Sequence, residues 1–216
     1  MSFLDRFKPQ PKYRHPDPAV RLAGIDELPD DAEHWGVIAE LAASDEDIRV
    51  RRAAINRLGA VGYLARLART ERDDNLRREL GDRLVDIANA PADGDGEAAQ
   101  ALDGLSDQKH FASIAKASPH DTVRTAALAK IRDGKLLASV ARHATDPQIA
   151  LEAARRVTDA TELQAVALKT DHKDAGLLAL ERALESLSVD TARGAVPSGP
   201  IGSSCTADQV PPLELT

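Results

Sequence analysis

The chain has 216 residues and a formal net charge of −7, and 43% of its residues are hydrophobic while only 3% are aromatic. This length and apolar content suffice for one domain or one array of small units, and they exclude a collagen-like or wholly disordered chain. No apolar run approaches the roughly 18 residues of a membrane span, and a single cysteine, Cys205, excludes a disulfide framework and a cysteine-rich zinc site. Because we also see no secretory leader, we expect a cytoplasmic protein.

The first predicted element is an N-terminal cap at residues 1–13. This segment contains Phe3, Phe7 and Tyr13, which are half of the six aromatic residues in the chain. The first unit of a stacked array must cover its outer apolar face, and an aromatic segment in front of it can supply that cover. A short amphipathic segment lying on a membrane surface is the alternative that the same residues allow.

From residue 14 the chain repeats with a period of 26 residues. An apolar residue opens the first helix of each unit, as at Val50, and small or aliphatic residues follow four and eight positions later, as at Ala54 and Leu58. The opening positions are Val20, Val50, Leu76, Val123, Ile149 and Ala175. These offsets lie within about 80° on an α-helix, so each unit is predicted to carry one apolar stripe on a long helix.

A second, shorter helix is predicted in each unit. Its pattern is an apolar residue followed three and four positions later by an aliphatic residue and alanine, as in Leu64, Leu67 and Ala68. The pattern recurs at residues 111–115, 137–141 and 163–167, and in the first unit if four extra residues precede it. Such hairpins bury their stripes against neighbouring units, which predicts an α-solenoid.

Aspartates stand where the helices are predicted to begin. Those that lie three residues before the first-helix openings are Asp17, Asp47, Asp73 and Asp146. Other aspartates precede the second helices, and Asp30 with Glu33 has the spacing of a capping box. Because an aspartate carboxylate accepts hydrogen bonds from the free amides of the first turn, we interpret these residues as helix caps and not as catalytic groups.

One unit departs from the period. Between Leu84 and Leu105 the spacing drops to 21 residues, and residues 90–96 read APADGDG where a second helix is expected. Proline and clustered glycines end helices, so the sequence predicts a loop that forms a seam within the repeat domain of residues 14–187. A calcium loop would need further oxygen ligands and a late glutamate, which the following residues do not supply at the required spacing.

The C-terminal end of the array is apolar and then loses its pattern. The last predicted first helix carries Leu177, Leu178, Leu180, Leu184 and Leu187. An uncovered apolar end favours association, which leaves homo-oligomerisation through this repeat open. Residues 188–216 contain four prolines with scattered Gly and Ser, so they are predicted to form a disordered tail that need not be native to the domain.

Basic residues form two columns with the same period. One column lies a single residue after the helix openings: Arg21, Arg51, Arg77 and Arg124. The other lies seven residues after them: Arg57, Arg83, Lys130, Arg156 and Arg182. Both flank the apolar stripe, where side chains contact the neighbouring unit. We interpret the first column as an Asp–Arg ladder between units, and the second is open to a ladder role or to ligand binding.

Charge is unevenly distributed along the chain. Residues 49–83 contain ten arginines, no lysine and five acidic residues, a net charge of +5. This stretch of an otherwise acidic protein suits an acidic partner, because arginine binds carboxylate and phosphate alike. The predicted binding residues are therefore Arg52, Arg57, Arg78 and Arg83, with Lys130, Arg156 and Arg182 further along the second column.

The unit motif resembles HEAT repeats in a short bacterial form. It reads DPAVR at residues 17–21, DIRVR at 47–51 and DTVRTAAL at 121–128. The opening, FLDRFKP at 3–9 and YRHPDP at 13–18, resembles the start of long bacterial proteins in which such repeats precede a C-terminal helical domain of unknown function. The resemblance implies an armadillo-type superhelix. With the spacing, it predicts an all-α, right-handed α-solenoid of about six HEAT-like hairpins.

Function follows less directly from the sequence. HEAT-like arrays usually bind proteins, some bind nucleic acid and a few are enzymes, but no residue set here resembles those active sites. His120, Asp146 and His172 share one column, yet stacked helices place them too far apart for one metal ion. We therefore predict a non-catalytic scaffold without metal or cofactor, which binds another protein with an acidic surface through the face of the long helices. Nucleic-acid binding through residues 49–83 is the alternative.

Overall fold

The computed structural model describes residues 10–29, 31–91 and 94–194, with side chains described up to Ser188. A short 3-10 helix, Lys12–Arg14, precedes twelve α-helices in these ranges, and no strand occurs in them. The helices are α1 (Pro18–Glu27), α2 (Trp35–Ser44), α3 (Ile48–Arg57), α4 (Val61–Thr70), α5 (Asp74–Asn89), α6 (Gly96–Gly104), α7 (Gln108–Ala117), α8 (Asp121–Lys130), α9 (Gly134–His143), α10 (Pro147–Arg156), α11 (Ala160–Lys169) and α12 (Lys173–Gly194). The prediction of an all-α chain is confirmed.

Most of these helices fall into the predicted hairpin units, which have two equal helices. The two helices of a unit pack mainly on neighbouring units and not on each other. The pairs α1/α2, α3/α4, α8/α9 and α10/α11 each consist of two helices of ten residues, and α6/α7 differs from them by one residue. The prediction of a shorter second helix is therefore wrong. The apolar pattern of the second helix identifies only its buried helical turn, and the helix extends beyond this turn at both ends.

The hairpins pack in chain order around one continuous core. Each second helix lies against the first helix of the next hairpin, as α2 does on α3, α7 on α8 and α9 on α10. Second helices also contact one another along the series α7, α9 and α11. A single cluster of buried side chains extends from Ile25 in α1 to Ala183 in α12, so each hairpin completes the core of its neighbours, as in a helical repeat array.

Aspartate side chains begin most of the first helices. Asp47 accepts a hydrogen bond of 2.8 Å from the amide of Arg49, and Asp146 accepts one of 2.7 Å from the amide of Gln148. Asp17 and Asp73 make the same contact at the starts of α1 and α5. Such a cap stabilises a helix by about 1 kcal/mol relative to alanine, so the caps fix where each unit begins.

The first hairpin contains the four extra residues that its sequence predicts. Residues 28–34 connect α1 to α2, whereas three residues join α3 to α4. The helix does not start at the predicted capping box, because α2 begins at Trp35 and it is Asp31 that accepts from the amide of His34 at 3.1 Å. Asp30 lies outside the described residues.

At the seam, one helix takes over the place of a missing second helix. α5 has sixteen residues and continues to Asn89, and the next helix is α6, which begins at Gly96. The Ser118 hydroxyl donates to the carbonyl of Ala88 at 2.7 Å, just as Thr170 donates to Ala141 at the end of the second helix α9 (3.0 Å). The last turns of α5 therefore substitute for the second helix at this junction. Residues 92 and 93 lie outside the described residues.

The two ends differ in extent from the prediction. The 3-10 helix packs on α1 at Gly24, where a Cβ atom would lie 2.5 Å from the amide nitrogen of Tyr13. Residues 1–9 of the predicted cap lie outside the described residues. At the other end α12 runs to Gly194, seven residues beyond the predicted boundary at 187, and the rest of the predicted tail, residues 195–216, is not described.

Candidate interaction surface

The first arginine column joins neighbouring hairpins. Arg21 of α1 donates two hydrogen bonds of 2.7 Å to the carboxylate of Asp45, which follows α2. It also donates to the carbonyls of His15 and Pro16 before its own helix. The side chain of Arg21 is 13% exposed and that of Asp45 is 4% exposed. The hydrogen bond with Asp45 is the main cause of the raised pKa of Arg21, so the guanidinium stays charged.

The same arrangement recurs along the array. Arg51, Arg77 and Arg124 each donate to a backbone carbonyl six residues earlier, at 3.0, 3.2 and 2.6 Å. Arg51 lies 3.6 Å from Glu71 and Arg124 lies 3.1 Å from Asp146, which are carboxylates of the next junction. The carboxylate partner of Arg77 is instead Asp74 of its own helix. A guanidinium bonded on both sides of a junction fixes the relative position of two units.

Capping aspartates belong to the same junctions. The side chain of Arg49 and then the backbone amides of the first turn lower the pKa of Asp47 to about 2. The amide of Ile149 is the main cause of the lowered pKa of Asp146, and Arg124 contributes further. These carboxylates are ionised at neutral pH because helix amides and nearby arginines stabilise the charge.

The second column reaches the carbonyl groups of the preceding hairpin. Arg57 donates to the carbonyl of Leu28 through two nitrogens, at 3.1 and 2.7 Å. Arg83, Arg156 and Arg182 each donate to two carbonyls at the end of the preceding first helix. The last carbonyls of a helix lack partners within it, and a cation there also interacts favourably with the helix dipole. These bonds engage four of the predicted binding arginines in holding units together.

Lys130 differs from the other members of the second column. Its ammonium group lies 3.5 Å from the carboxylate of Asp103 in α6, and its side chain is 40% exposed. An exposed ion pair of this kind contributes little to stability. Lys130 therefore remains accessible from solvent.

Arg52 and Arg78 share one column on α3 and α5, one repeat apart. Arg52 forms two hydrogen bonds of 2.9 Å with Glu79, and the exposed fractions of the two side chains are 42% and 49%. Arg78 is exposed and lies 3.4 Å from the side-chain oxygen of Asn75. The structure thus brings Arg52, Arg78 and Glu79 onto one open face, while Arg57 lies in a junction below it.

A cleft next to Arg78 lies between α5 and α7. It has a volume of about 560 Å³, and its lining combines Arg78 and Lys109 with the carboxylate of Asp82. His110 packs on Gly81, where a Cβ atom would lie 2.5 Å from its ring, and its Nε2 lies 3.5 Å from Asp82. Sequence reasoning missed Lys109 and His110 as neighbours of this face, because the seam changes which helices meet there.

The two histidines of the predicted column of His120, Asp146 and His172 lie in the junctions. His120 has Nδ1 2.9 Å from a carboxylate oxygen of Asp95 and Nε2 3.1 Å from the carbonyl of Ala90. His172 has Nε2 2.8 Å from the carbonyl of Ala144. The sequence identified this column but not the partners of the histidines, because these acceptors lie 25 to 30 residues earlier in the chain.

In the parts of the chain that the structure covers, no group of three or more His, Cys, Asp or Glu side chains is placed to hold a metal ion. None of the helices in those parts has the length and apolar character that crossing a membrane requires. No model of a known family matches the chain, and no curated protein matches it. The contacts described above are therefore the basis for a functional proposal.

Proposed function

We propose that this chain is a non-catalytic scaffold that holds another protein on the face lined by the first helices of its hairpins. In this proposal the array is a right-handed α-solenoid of the HEAT type, and several units contact the partner at once. Such arrays offer an extended surface with contacts at a fixed spacing. Each contact is weak alone, and together they give affinity.

The charge pattern around Arg52 and Arg78 is the observation that carries this proposal. Arg52 binds Glu79, and Asp82 lies exposed one turn further along α5. A phosphate backbone laid across this face would meet these carboxylates as well as the arginines. A protein surface with side chains of both signs can complement this mixture of basic and acidic side chains. An acidic side chain of the bound protein can replace Glu79 as the partner of Arg52.

The positions of the shifted pKa values support a binding role over a catalytic one. Asp47 and Asp146 cap helices, Arg21 belongs to the ladder, and Asp95 has a lowered pKa mainly because Thr122 donates to it. Catalytic groups combine a shifted pKa with a cleft that holds the substrate. Here the shifted groups lie at helix starts and in junctions.

The test is a charge reversal that keeps the junction arginines Arg57 and Arg83. The full chain serves as bait in a lysate, captured proteins are identified, and the affinity of the purified partner is then measured. In Arg52→Glu/Arg78→Glu we expect at least roughly tenfold weaker binding, equivalent to about 1.4 kcal/mol. A matched control, Arg132→Glu/Arg155→Glu, makes the same charge change at exposed positions on other units and should bind within about twofold of the parent.

Equal binding by the parent and by Arg52→Glu/Arg78→Glu would refute this use of the face. Arg57 and Arg83 are kept in all variants, because their bonds to preceding carbonyls make them unsuitable as probes of binding. Circular dichroism of each variant checks that the helices are intact.

Phosphate-backbone binding is the second candidate, and one observation favours it. Besides the arginine-rich residues 49–83, the helices α4, α7 and α9 carry basic side chains and no Asp or Glu. The basic residues are Arg66, Arg69, Lys109, Lys116, Lys135 and Arg142. Fluorescence polarisation with labelled single-stranded and duplex oligonucleotides tests this candidate. Nucleic-acid binding should weaken steeply between about 50 and 200 mM salt, and no binding at the lower concentration would reject it.

A further inference from the structure

The outer side of α12 carries a stripe of exposed leucines. Leu177, Leu180 and Leu184 are 60%, 47% and 58% exposed, and Leu187, 50% exposed, continues the series. Their spacing of three, four and three residues is that of alternating a and d positions in a coiled coil. On the opposite side Ala179 is fully buried against the array. The helix therefore has one apolar side for its own core and a second one facing outwards.

Comparison with the inner units indicates that this outer side is built to be covered. The position of Leu180 is occupied in earlier units by residues that the next unit buries: Ile25, Ile55, Leu128 and Ala154, each at most 3% exposed. On the neighbouring helix α11, Leu168 is 84% exposed, and the equivalent positions in α4, α7 and α9 carry Arg69, Lys116 and Arg142. A terminal unit that faced water would be expected to carry polar residues here.

The length of α12 determines what can cover the stripe. Ten-residue first helices such as α8 and α10 match only residues 173–182 of α12. A further unit of that kind would leave Leu184 and Leu187 outside the contact. A partner that covers the whole stripe needs a helix as long as α12 with leucines at the same spacing.

A second copy of the chain meets both requirements. The series of leucines is symmetric about a point between Leu180 and Leu184, so a two-fold axis there brings Leu177 opposite Leu187 and Leu180 opposite Leu184. The two helices run antiparallel, which also sets their dipoles in opposition.

We propose that two copies of the chain pair through the leucine stripe of α12, antiparallel and about a two-fold axis. One stripe per copy is smaller than the roughly 800 Å² that each partner buries in a standard interface. The dimer is therefore weak, and its formation depends on protein concentration.

Sedimentation velocity of the full chain tests the pairing. Between about 5 and 500 µM we expect a shift from monomer to dimer. Leu180→Glu/Leu184→Glu should remain monomeric over this range, because four glutamates would meet in the apolar contact. Since both leucines are exposed in the monomer, this variant should keep the parent's helicity and unfolding temperature. The matched control Thr125→Glu/Ala126→Glu places the same charges on an exposed part of α8 and should dimerise like the parent.

Three results would overturn the proposal. One is a parent that stays monomeric at every concentration, and another is a Leu180→Glu/Leu184→Glu variant that dimerises like the parent. The third is a chain that dimerises only after residues 195–216 are removed, because that segment would then be the cover of α12 in the full chain.

Disulfide trapping tests the orientation. In a Cys205→Ser background, Leu177→Cys and Leu187→Cys are oxidised separately and as a mixture. Antiparallel pairing predicts that the mixture forms a cross-linked dimer of one Leu177→Cys chain and one Leu187→Cys chain. Cross-linking of each variant with itself, and none between them, would contradict the antiparallel arrangement.

Discussion

Replacing Arg156 by alanine tests whether the second arginine column holds the hairpins together. Arg156 is half-buried in α10 and donates to the carbonyls of Leu128 and Ile131 at the end of α8. A hydrogen bond that involves a charged group contributes about 1.5–3 kcal/mol. Two such bonds, reduced by partial exposure, give an expected loss of about 2–3 kcal/mol in the free energy of unfolding for Arg156→Ala.

Urea and thermal unfolding, followed by far-UV circular dichroism, measure this loss. For a domain of this size each kcal/mol lowers the unfolding temperature by about 2–4 °C, so a decrease of roughly 5–10 °C is expected. Arg155→Ala is the matched control, because the neighbouring side chain is 59% exposed and forms one ion pair of 3.3 Å with Glu152. Its expected effect is within about 0.5 kcal/mol.

An Arg156→Ala variant that unfolds like Arg155→Ala would refute the reasoning. The carbonyls at the end of α8 would then be satisfied equally well by water. The column would be available to a ligand, and the binding role left open by the sequence would regain support.

Two further predictions concern single positions. Gly104→Ala should destabilise the fold by about 1–3 kcal/mol, because its Cβ would lie 2.6 Å from the Cα of Ala65, whereas Gly36→Ala, with no atom within 4 Å, should be neutral or stabilising in the same urea titration. Asp47 has a folded-state pKa of about 2, below the ordinary value of about 3.9, so its contribution is present above that value and is lost as the pH falls towards 2. Asp47→Asn should therefore reduce the dependence of the unfolding temperature on pH between about 4 and 2, and an unchanged slope would contradict the assignment.

The sequence predicted the parts of the fold that depend on local chemistry. A cap such as Asp47 needs a carboxylate a few residues before an apolar stripe, and both belong to one short segment. The sequence did not predict the extension of α5, although Leu84, Ile87 and Ala88 keep helical spacing. The prediction of the seam depended on the loss of the 26-residue period and not on this spacing. The continuation of α12 past residue 187 was missed for the same reason.

The candidate surface was less predictable, because it depends on contacts between units. Spacing identified the column that contains Arg57 but not its acceptor, the carbonyl of Leu28, which lies 29 residues earlier. Arg52 and Arg57 cannot be distinguished in the sequence, but their surroundings in the structure differ. One faces Glu79 on an open surface, and the other is enclosed at the end of a preceding helix.

The direction of the bonds between hairpins has a consequence for protein synthesis. The arginine that satisfies the end of a first helix follows its acceptors by 25 to 29 residues, as Arg83 follows Leu58 and Arg57 follows Leu28. A hairpin emerging from the ribosome therefore keeps free carbonyls and an open apolar side until the next hairpin has been made. Because domains fold from the N-terminus as the chain is synthesised, each new unit closes the edge left by the one before it. The growing chain exposes one unfinished edge at a time, and α12 is the edge at the end of the described array.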